Sequence, residues 1–190
     1  MSSRIARIVL AIYLIAIYAS LAGVRVVTNS LRDRGMLRGA VAIAFALAAS
    51  GAIALILRNP KLRTKRNALK LLAIGAVYAS AIVPMQSPEE KIHFIEYGLV
   101  ALLALASWPH VRRPYITSAI FTLAAGWIDE GIQGLLPTRF YDLRDVAFNA
   151  AAGVLALVAI FFFRDGNGRT DRSEEMALDA ARGRARGDGS

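Results

Sequence analysis

Long stretches of the chain contain no charged residue. One lies between Arg38 and Arg58, and another runs from Val146 to Phe163. A helix needs roughly 20 apolar residues to cross a bilayer core of about 30 Å, with a usual range of about 17–25 residues. Both stretches reach that length. They therefore predict helices that span a membrane, and an integral membrane protein.

Four further apolar segments of similar length bring the predicted number of spans to six. The predicted spans are 8–26, 39–57, 69–86, 92–109, 115–136 and 146–163. The composition agrees, because 56% of the residues are hydrophobic and 19% are charged, whereas soluble domains carry about 25% charged residues. A segment in lipid must satisfy its own backbone hydrogen bonds, and the alternation typical of membrane β-strands is missing. The predicted fold class is all-α, a polytopic transmembrane helical bundle of about six helices.

Three parts are expected along the chain. Residues 1–66 would form two membrane helices and a basic cytoplasmic loop, residues 67–163 a four-helix membrane domain, and residues 164–190 a cytoplasmic tail. The tail is rich in Gly, Arg and Asp, which predicts disorder. Arg4 and Arg7 before the first apolar run also resemble the start of a signal peptide, but the length of that run favours a retained helix.

The distribution of Lys and Arg among the loops predicts the orientation, because cytoplasmic loops carry an excess of these residues. The loop "RNPKLRTKRNALK", from Arg58 to Lys70, is the most basic, although the loop after the first span is basic as well. We expect both termini on the cytoplasmic side of a bacterial inner membrane. The net charge of +9 then reflects basic loops at a membrane surface, and no nucleic-acid partner is predicted.

Two polar clusters that are distant in sequence are predicted to share one side of the membrane. The first contains His93, Glu96 and Tyr97, whose spacing of three and four residues places them on one helix face. The second lies between Gly126 and Gly153, around the turn between the fifth and sixth spans. Two spans separate the clusters, so both lie on the same side whichever way the protein is inserted. With both termini inside, that side is extracytoplasmic.

The acidic side chains of these clusters are the main reason to predict a site. A carboxylate within a span costs about 2.5–3.5 kcal/mol on insertion scales, so it should face the bundle interior or a wet cavity and have a partner. Asp142 is a candidate N-cap of the sixth helix with Asp145 as its capping-box partner, and Arg139 is a natural counter-charge. The predicted ligand-binding residues are His93, Glu96, Tyr97, Asp129, Glu130, Gln133, Arg139, Asp142, Asp145 and Asn149.

The residue types leave the chemistry of the site open. The chain has no P-loop, no zinc-protease helix and no recognisable Ser-His-Asp motif. It also has no cysteine, which excludes disulfides and thiolate metal sites. No cofactor is predicted, and the alternative is a hard divalent cation such as Mg²⁺ among the carboxylates. Lys91 and Arg139 suit a phosphate group instead.

The stretches "EEKIHFIEYGLVALL" and "GWIDEGIQGLLPTRFYDLRDVAFNAAAG" resemble the VanZ-like family of bacterial membrane proteins. The family pattern has an acidic-Lys-His start followed by Tyr, then E-x-x-Q, P-x-R, D-x-x-D and N-x-x-x-G. These positions fall on Lys91, His93, Glu96, Tyr97, Glu130, Gln133, Pro137, Arg139, Asp142, Asp145, Asn149 and Gly153. The resemblance covers about residues 70–163. One departure is that His93 follows Lys91 by two residues, whereas many members have three.

The resemblance implies a cell-envelope protein of the inner membrane, since the family is named after a member associated with teicoplanin resistance. We expect a polar pocket of carboxylates and Arg139 that recognises a phosphate- or sugar-bearing envelope molecule or lipid-linked precursor. Membrane lipids are the other expected partners. Two alternatives are a metal-assisted enzyme acting on lipids and a proton-coupled transporter that titrates Glu96 or Glu130. The transporter needs a polar path, whereas the cytoplasmic halves of the last three spans look apolar.

Overall fold

The computed structural model describes residues 1–59, 63–85, 88–137 and 141–163. These residues are helical apart from short connections, which confirms the all-α prediction for this part of the chain. The helices are α1 (Ser3–Asp33), α2 (Leu37–Arg58), α3 (Lys65–Ile82), α4 (Pro88–Ser107), α5 (Pro114–Leu135) and α6 (Leu143–Phe163). Arg139 and the predicted tail, residues 164–190, lie outside the described residues.

Each helix begins before its predicted apolar segment, because polar residues form the caps and first turns. The hydroxyl of Ser2 accepts a hydrogen bond from the N–H of Ile5 at 3.3 Å at the start of α1. The hydroxyl of Thr64 accepts from the N–H of Asn67 at 3.2 Å at the start of α3. Such bonds satisfy N–H groups that have no partner within the helix. The apolar pattern therefore located the helices but not their first residues.

The turn between α1 and α2 depends on one glycine. Gly35 has φ of 68°, a left-handed conformation that suits glycine because it has no Cβ. The N–H of Met36 donates to the carbonyl of Leu31 at 2.8 Å, and the N–H of Gly35 donates to that of Arg32 at 2.9 Å. These two bonds form a Schellman motif, which ends α1 and reverses the chain into α2.

Helix α4 lies at the centre of the packing. It packs against α1, α2 and α5, and it also approaches α6 closely, since a Cβ placed on Gly98 would lie 3.7 Å from Cβ of Ala156. The main core cluster consists of Leu10, Ile17, Met85, Phe94, Tyr97, Val100, Leu103, Ala104, Ala125 and Ala152. The first helix thus shares a core with helices of the predicted 67–163 domain.

Contacts between helix termini define two ends of the bundle. At the first, which we call the polar end, α4 and α6 begin and α5 ends. At the opposite end, Nζ of Lys70, near the start of α3, donates to the carbonyl of Phe162 at 2.8 Å. The ring of Tyr115, at the start of α5, lies edge-on to Phe161 with centroids 5.5 Å apart. Successive helices therefore run in alternating directions between the two ends.

The side chains of α5 are distributed in the reverse of a soluble-protein helix. Its buried residues are small or polar: Ser118, Thr122, Ala125, Gly126, Asp129, Glu130 and Gln133. Its large apolar side chains face outward, and Ile120 is 63% exposed while Trp127 is 54% exposed. Burial of the polar face and exposure of the apolar face are expected where the surroundings of the helix are themselves apolar.

Two helices of the described residues are long and apolar enough to cross a membrane. They are Ser3–Leu21, with a mean hydropathy of 1.8, and Leu143–Phe163, with 2.4, and a shorter apolar stretch is Leu37–Gly51. A soluble core helix or a signal sequence passes the same test, so the predicted arrangement of six spans stays a prediction. Helices α3 and α5 carry charged residues, which lower their hydropathy.

Candidate functional site at the polar end

His93 brings the two predicted clusters together. Its Nδ1 lies 3.5 Å from Oε2 of Glu96, one turn further along α4. The same nitrogen lies 4.0 Å from Oδ2 of Asp129 on α5. The predicted shared face of His93 and Glu96 is therefore present. The two clusters meet at the polar end, as expected for clusters that are separated by two helices of opposite direction.

These three side chains run from the surface into the interior. The side chain of Glu96 is 32% exposed, that of His93 is 12% exposed, and that of Asp129 is fully buried. A molecule that approaches from outside therefore meets Glu96 and His93, whereas Asp129 is not accessible to it. Carboxylates beside Nδ1 favour the tautomer that carries its proton on that nitrogen, which leaves Nε2 as an acceptor.

Two tyrosine hydroxyls donate to the same backbone carbonyl, four residues before Asp129 on α5. The hydroxyl of Tyr18 on α1 donates to the carbonyl of Ala125 at 2.9 Å, and that of Tyr97 on α4 donates to the same oxygen at 3.5 Å. The next residue is Gly126, where a Cβ would lie 3.5 Å from Cε1 of Tyr97. The missing side chain thus leaves room for the tyrosine ring. Tyr97 is completely buried, so it supports the site from the interior of the bundle.

Glu130 joins the end of α5 to the start of α6. It is completely buried. Its Oε1 accepts from Nε2 of Gln133 at 2.9 Å, and its Oε2 accepts from the backbone N–H of Asp142 at 3.3 Å. Both carboxylate oxygens are thus engaged within the protein. In this geometry Glu130 and Gln133 hold two helix ends together.

Asp142 is the N-cap of α6, as predicted, because its Oδ1 accepts from the N–H of Arg144 at 2.8 Å. The predicted capping box pairs the backbone N–H of Asp142 with Asp145. In the structure this N–H donates to Glu130 of α5, and Asp145 is partly buried in the first turn of α6. A side chain from the preceding helix therefore takes part in the start of α6.

Asn149 is a further polar residue of α6, two turns beyond Asp142, and it lies in the interior of the bundle. It is completely buried, and neither atom of its side-chain amide has a hydrogen-bond partner within the described ranges. It packs against α5, since a Cβ on Gly126 would lie 2.9 Å from Cβ of Asn149 and 3.3 Å from its Nδ2. Further along α6, a Cβ on Gly153 would lie 2.7 Å from Cγ2 of Thr122. Glycines thus permit the close approach of α5 and α6.

The polar face of α5 reaches further toward the opposite end than the sequence suggested. Thr122 and Ser118 are buried on the same face as Gly126. Their hydroxyls donate within α5, from Thr122 to the carbonyl of Ser118 and from Ser118 to that of Pro114, both at 2.8 Å. The half of α5 nearer the opposite end therefore carries two polar side chains on its buried face. The hydroxyls have partners on their own backbone, so they do not form a continuous path.

Sequence reasoning placed the site on the last three spans; it missed Tyr18 of α1 in the site and Arg38 of α2 in a separate cavity at the same end. Tyr18 of α1 shares the Ala125 carbonyl with Tyr97. Arg38 of α2 lines a cavity at the polar end together with Lys91. The available signals were a tyrosine within an apolar run and the basic first loop, which disagreed with the orientation rule.

The described residues contain no group of three or more His, Asp or Glu side chains that could hold a metal ion. The alternative of a divalent cation stays a prediction. Arg139, the predicted counter-charge of the acidic residues, is not among the described residues.

No family model matches the chain, and no curated protein or solved structure matches it. The resemblance to the VanZ-like family stays a prediction.

Proposed function

We propose that this protein spans the bacterial inner membrane with six helices, and that its polar end recognises a phosphate- or sugar-bearing envelope molecule. The observation that carries the proposal is the arrangement of Glu96, His93 and Asp129, which runs from a partly exposed carboxylate to a fully buried one. Burying a carboxylate beside a histidine at the end of an apolar bundle costs free energy. Such costly groups are therefore candidates for a functional site.

The apolar exterior supports the membrane location. Large apolar side chains are exposed on all six described helices, for example Ile12, Leu47, Leu72, Leu99, Ile120 and Phe162. A soluble monomer rarely exposes large apolar side chains on every one of its helices. In a bilayer the same surface contacts lipid tails, and the polar residues of α5 are buried among helices. The six spans then follow from six helices of alternating direction.

The chemistry of the accessible groups supports the ligand class. Glu96 accepts hydrogen bonds from sugar hydroxyls, and His93 accepts them through Nε2. Positive charge for a phosphate is expected from Arg139, on the sequence pattern alone. A lipid-linked envelope precursor combines these features with an apolar tail that remains in the bilayer. By the VanZ-like resemblance, lowered susceptibility to teicoplanin is an expected consequence.

The orientation is tested with single cysteines, because the chain has none of its own. We expect Asp33→Cys and Leu135→Cys, both at the polar end, to react in intact cells with a maleimide that does not cross membranes. His110→Cys, at the opposite end, should react only after permeabilisation. Labelling of His110→Cys alone in intact cells would show the reverse orientation. Recovery of all three variants in the soluble fraction would contradict the membrane location.

Ligand recognition is tested by analysing the lipids that purify with the protein in detergent. We expect mass spectrometry to show a phosphate- or sugar-bearing lipid enriched with the wild type and reduced at least about tenfold with Glu96→Gln, which corresponds to about 1.4 kcal/mol. Glu90→Gln is the matched control, since Glu90 precedes Glu96 on α4 and makes no hydrogen bond or ion pair with the described residues. Equal retention by both variants, or no enrichment with the wild type, contradicts the proposal.

A further inference from the structure

A second polar feature lies at the same end, between the starts of α2 and α4 and the end of α3. It is a cavity of about 490 Å³ lined by Arg38, Val41, Ala42, Phe45, Val83, Met85, Pro88 and Lys91. Ligand pockets have volumes of about 300–1,000 Å³, so this cavity has room for a lipid headgroup and the first atoms of its chains. His93, Glu96 and Asp129 do not line it.

Both charged residues of the described lining, Arg38 and Lys91, are positive. Arg38 lies in the first turn of α2 and Lys91 in the first turn of α4. Neither makes a hydrogen bond or ion pair with the part of the chain that the structure describes, and the described lining contains no Asp or Glu. The N-terminal ends of α2 and α4 add their partial positive charge. Two cations at two helix starts, with no acidic partner among the described residues, attract an anion with several oxygens, such as a phosphate.

The remaining wall is apolar, and this distinguishes a lipid from a free phosphate. Val41 and Met85 are buried in the wall, and Phe45 is partly buried. Val83 is 76% exposed at its rim. A free phosphate would use the two cations and leave the apolar wall in contact with water. An anionic lipid would place its phosphate between the cations and its glycerol and acyl atoms against the apolar side chains.

We propose that this cavity binds the phosphate headgroup of an anionic membrane lipid through Arg38 and Lys91. The inference rests on the membrane location in the proposed function and is independent of the molecule bound near His93. A bound lipid would join α2 and α4 at the polar end.

The test measures binding of dioctanoyl phosphatidic acid to the full-length protein in an uncharged detergent by native mass spectrometry. We expect each of Arg38→Gln and Lys91→Gln to weaken binding about tenfold, and the double variant more, because each removes one charge-assisted contact. Arg34→Gln is the matched control, since Arg34 is exposed at the same end and does not line the cavity. Dioctanoyl phosphatidylcholine, whose net charge is zero, should bind at least about tenfold more weakly than phosphatidic acid.

Three results would overturn the inference. Wild-type affinity in the double variant would show that the cations do not hold the headgroup. Displacement of the lipid by an equal concentration of inorganic phosphate would identify a free-anion site. An equal loss of affinity in Arg34→Gln would show unspecific attraction to a basic surface. Glu96→Gln separates this inference from the proposed function, because it should leave phosphatidic acid binding unchanged even if it alters the lipids that purify with the protein.

Discussion

Replacing Glu130 with alanine should lower the free energy of unfolding by about 3–5 kcal/mol, because one change removes an acceptor from two donors and opens a cavity. The carboxylate is completely buried and accepts from Nε2 of Gln133 and from the N–H of Asp142. Both donors lose this acceptor in the variant, and the connection between the end of α5 and the start of α6 is lost. Thermal unfolding or titration with a denaturing detergent measures the effect.

Two milder variants isolate the cause. Glu130→Gln keeps the shape and one carbonyl oxygen, so it should lose about 1–2 kcal/mol, comparable to one buried hydrogen bond. Asp142→Ala removes the N-cap bond to Arg144 but keeps the backbone N–H that donates to Glu130, and it should cost about 1 kcal/mol. If Glu130→Ala destabilises no more than Asp142→Ala, the carboxylate does not connect the two helices.

Gly126→Ala should destabilise the protein by about 1–3 kcal/mol through overpacking. The new Cβ would lie 2.9 Å from Cβ of Asn149, 3.3 Å from its Nδ2 and 3.5 Å from Cε1 of Tyr97. Neither neighbour has free space, because Asn149 and Tyr97 are both completely buried. The helices must therefore separate, which also weakens the bond from Tyr97 to the carbonyl of Ala125. The same unfolding measurement reports the loss.

Gly131→Ala provides a control of opposite sign within α5. Gly131 is exposed, and nothing lies within 4 Å of a Cβ placed on it. Alanine there should stabilise the protein by about 0.5–1 kcal/mol, because glycine is unfavourable inside a helix. Both variants replace a glycine by alanine within the same helix, five residues apart. The gain from helix propensity is therefore common to both, and the difference between them reports the packing. If both variants change stability in the same direction, the close packing of α5 on α6 is incorrect.

The meeting of the two polar clusters could be predicted from sequence without knowing any side-chain contact. Helices that alternate in direction bring the start of α4 and the end of α5 to the same end of the bundle. His93 and Asp129 therefore had to lie at a similar position along the bundle axis. The i, i+3 spacing of His93 and Glu96 further predicted their shared face. The N-cap role of Asp142 was predictable because it depends on residues two positions apart.

Contacts between helices that are remote in sequence could not be predicted in this way. Nothing local indicates that Tyr18 reaches the carbonyl of Ala125, since 107 residues separate them. The capping box predicted for Asp145 was equally reasonable from spacing, yet Glu130 reaches the N–H of Asp142. These pairings depend on the rotation of each helix about its axis, which is set by packing against all its neighbours.

The long uncharged runs by themselves predicted helices, because a backbone that lies in lipid must satisfy its hydrogen bonds locally, and the described residues are helical apart from short connections. Alternating helix direction then determined which polar residues share an end. Only the tertiary structure decided how accessible each acid is. Glu96 is partly exposed, whereas Asp129 and Glu130 are fully buried with different partners. The physical reason is that burial depends on how closely neighbouring helices approach, and here Gly126 and Gly153 permit the close approach of α5 and α6.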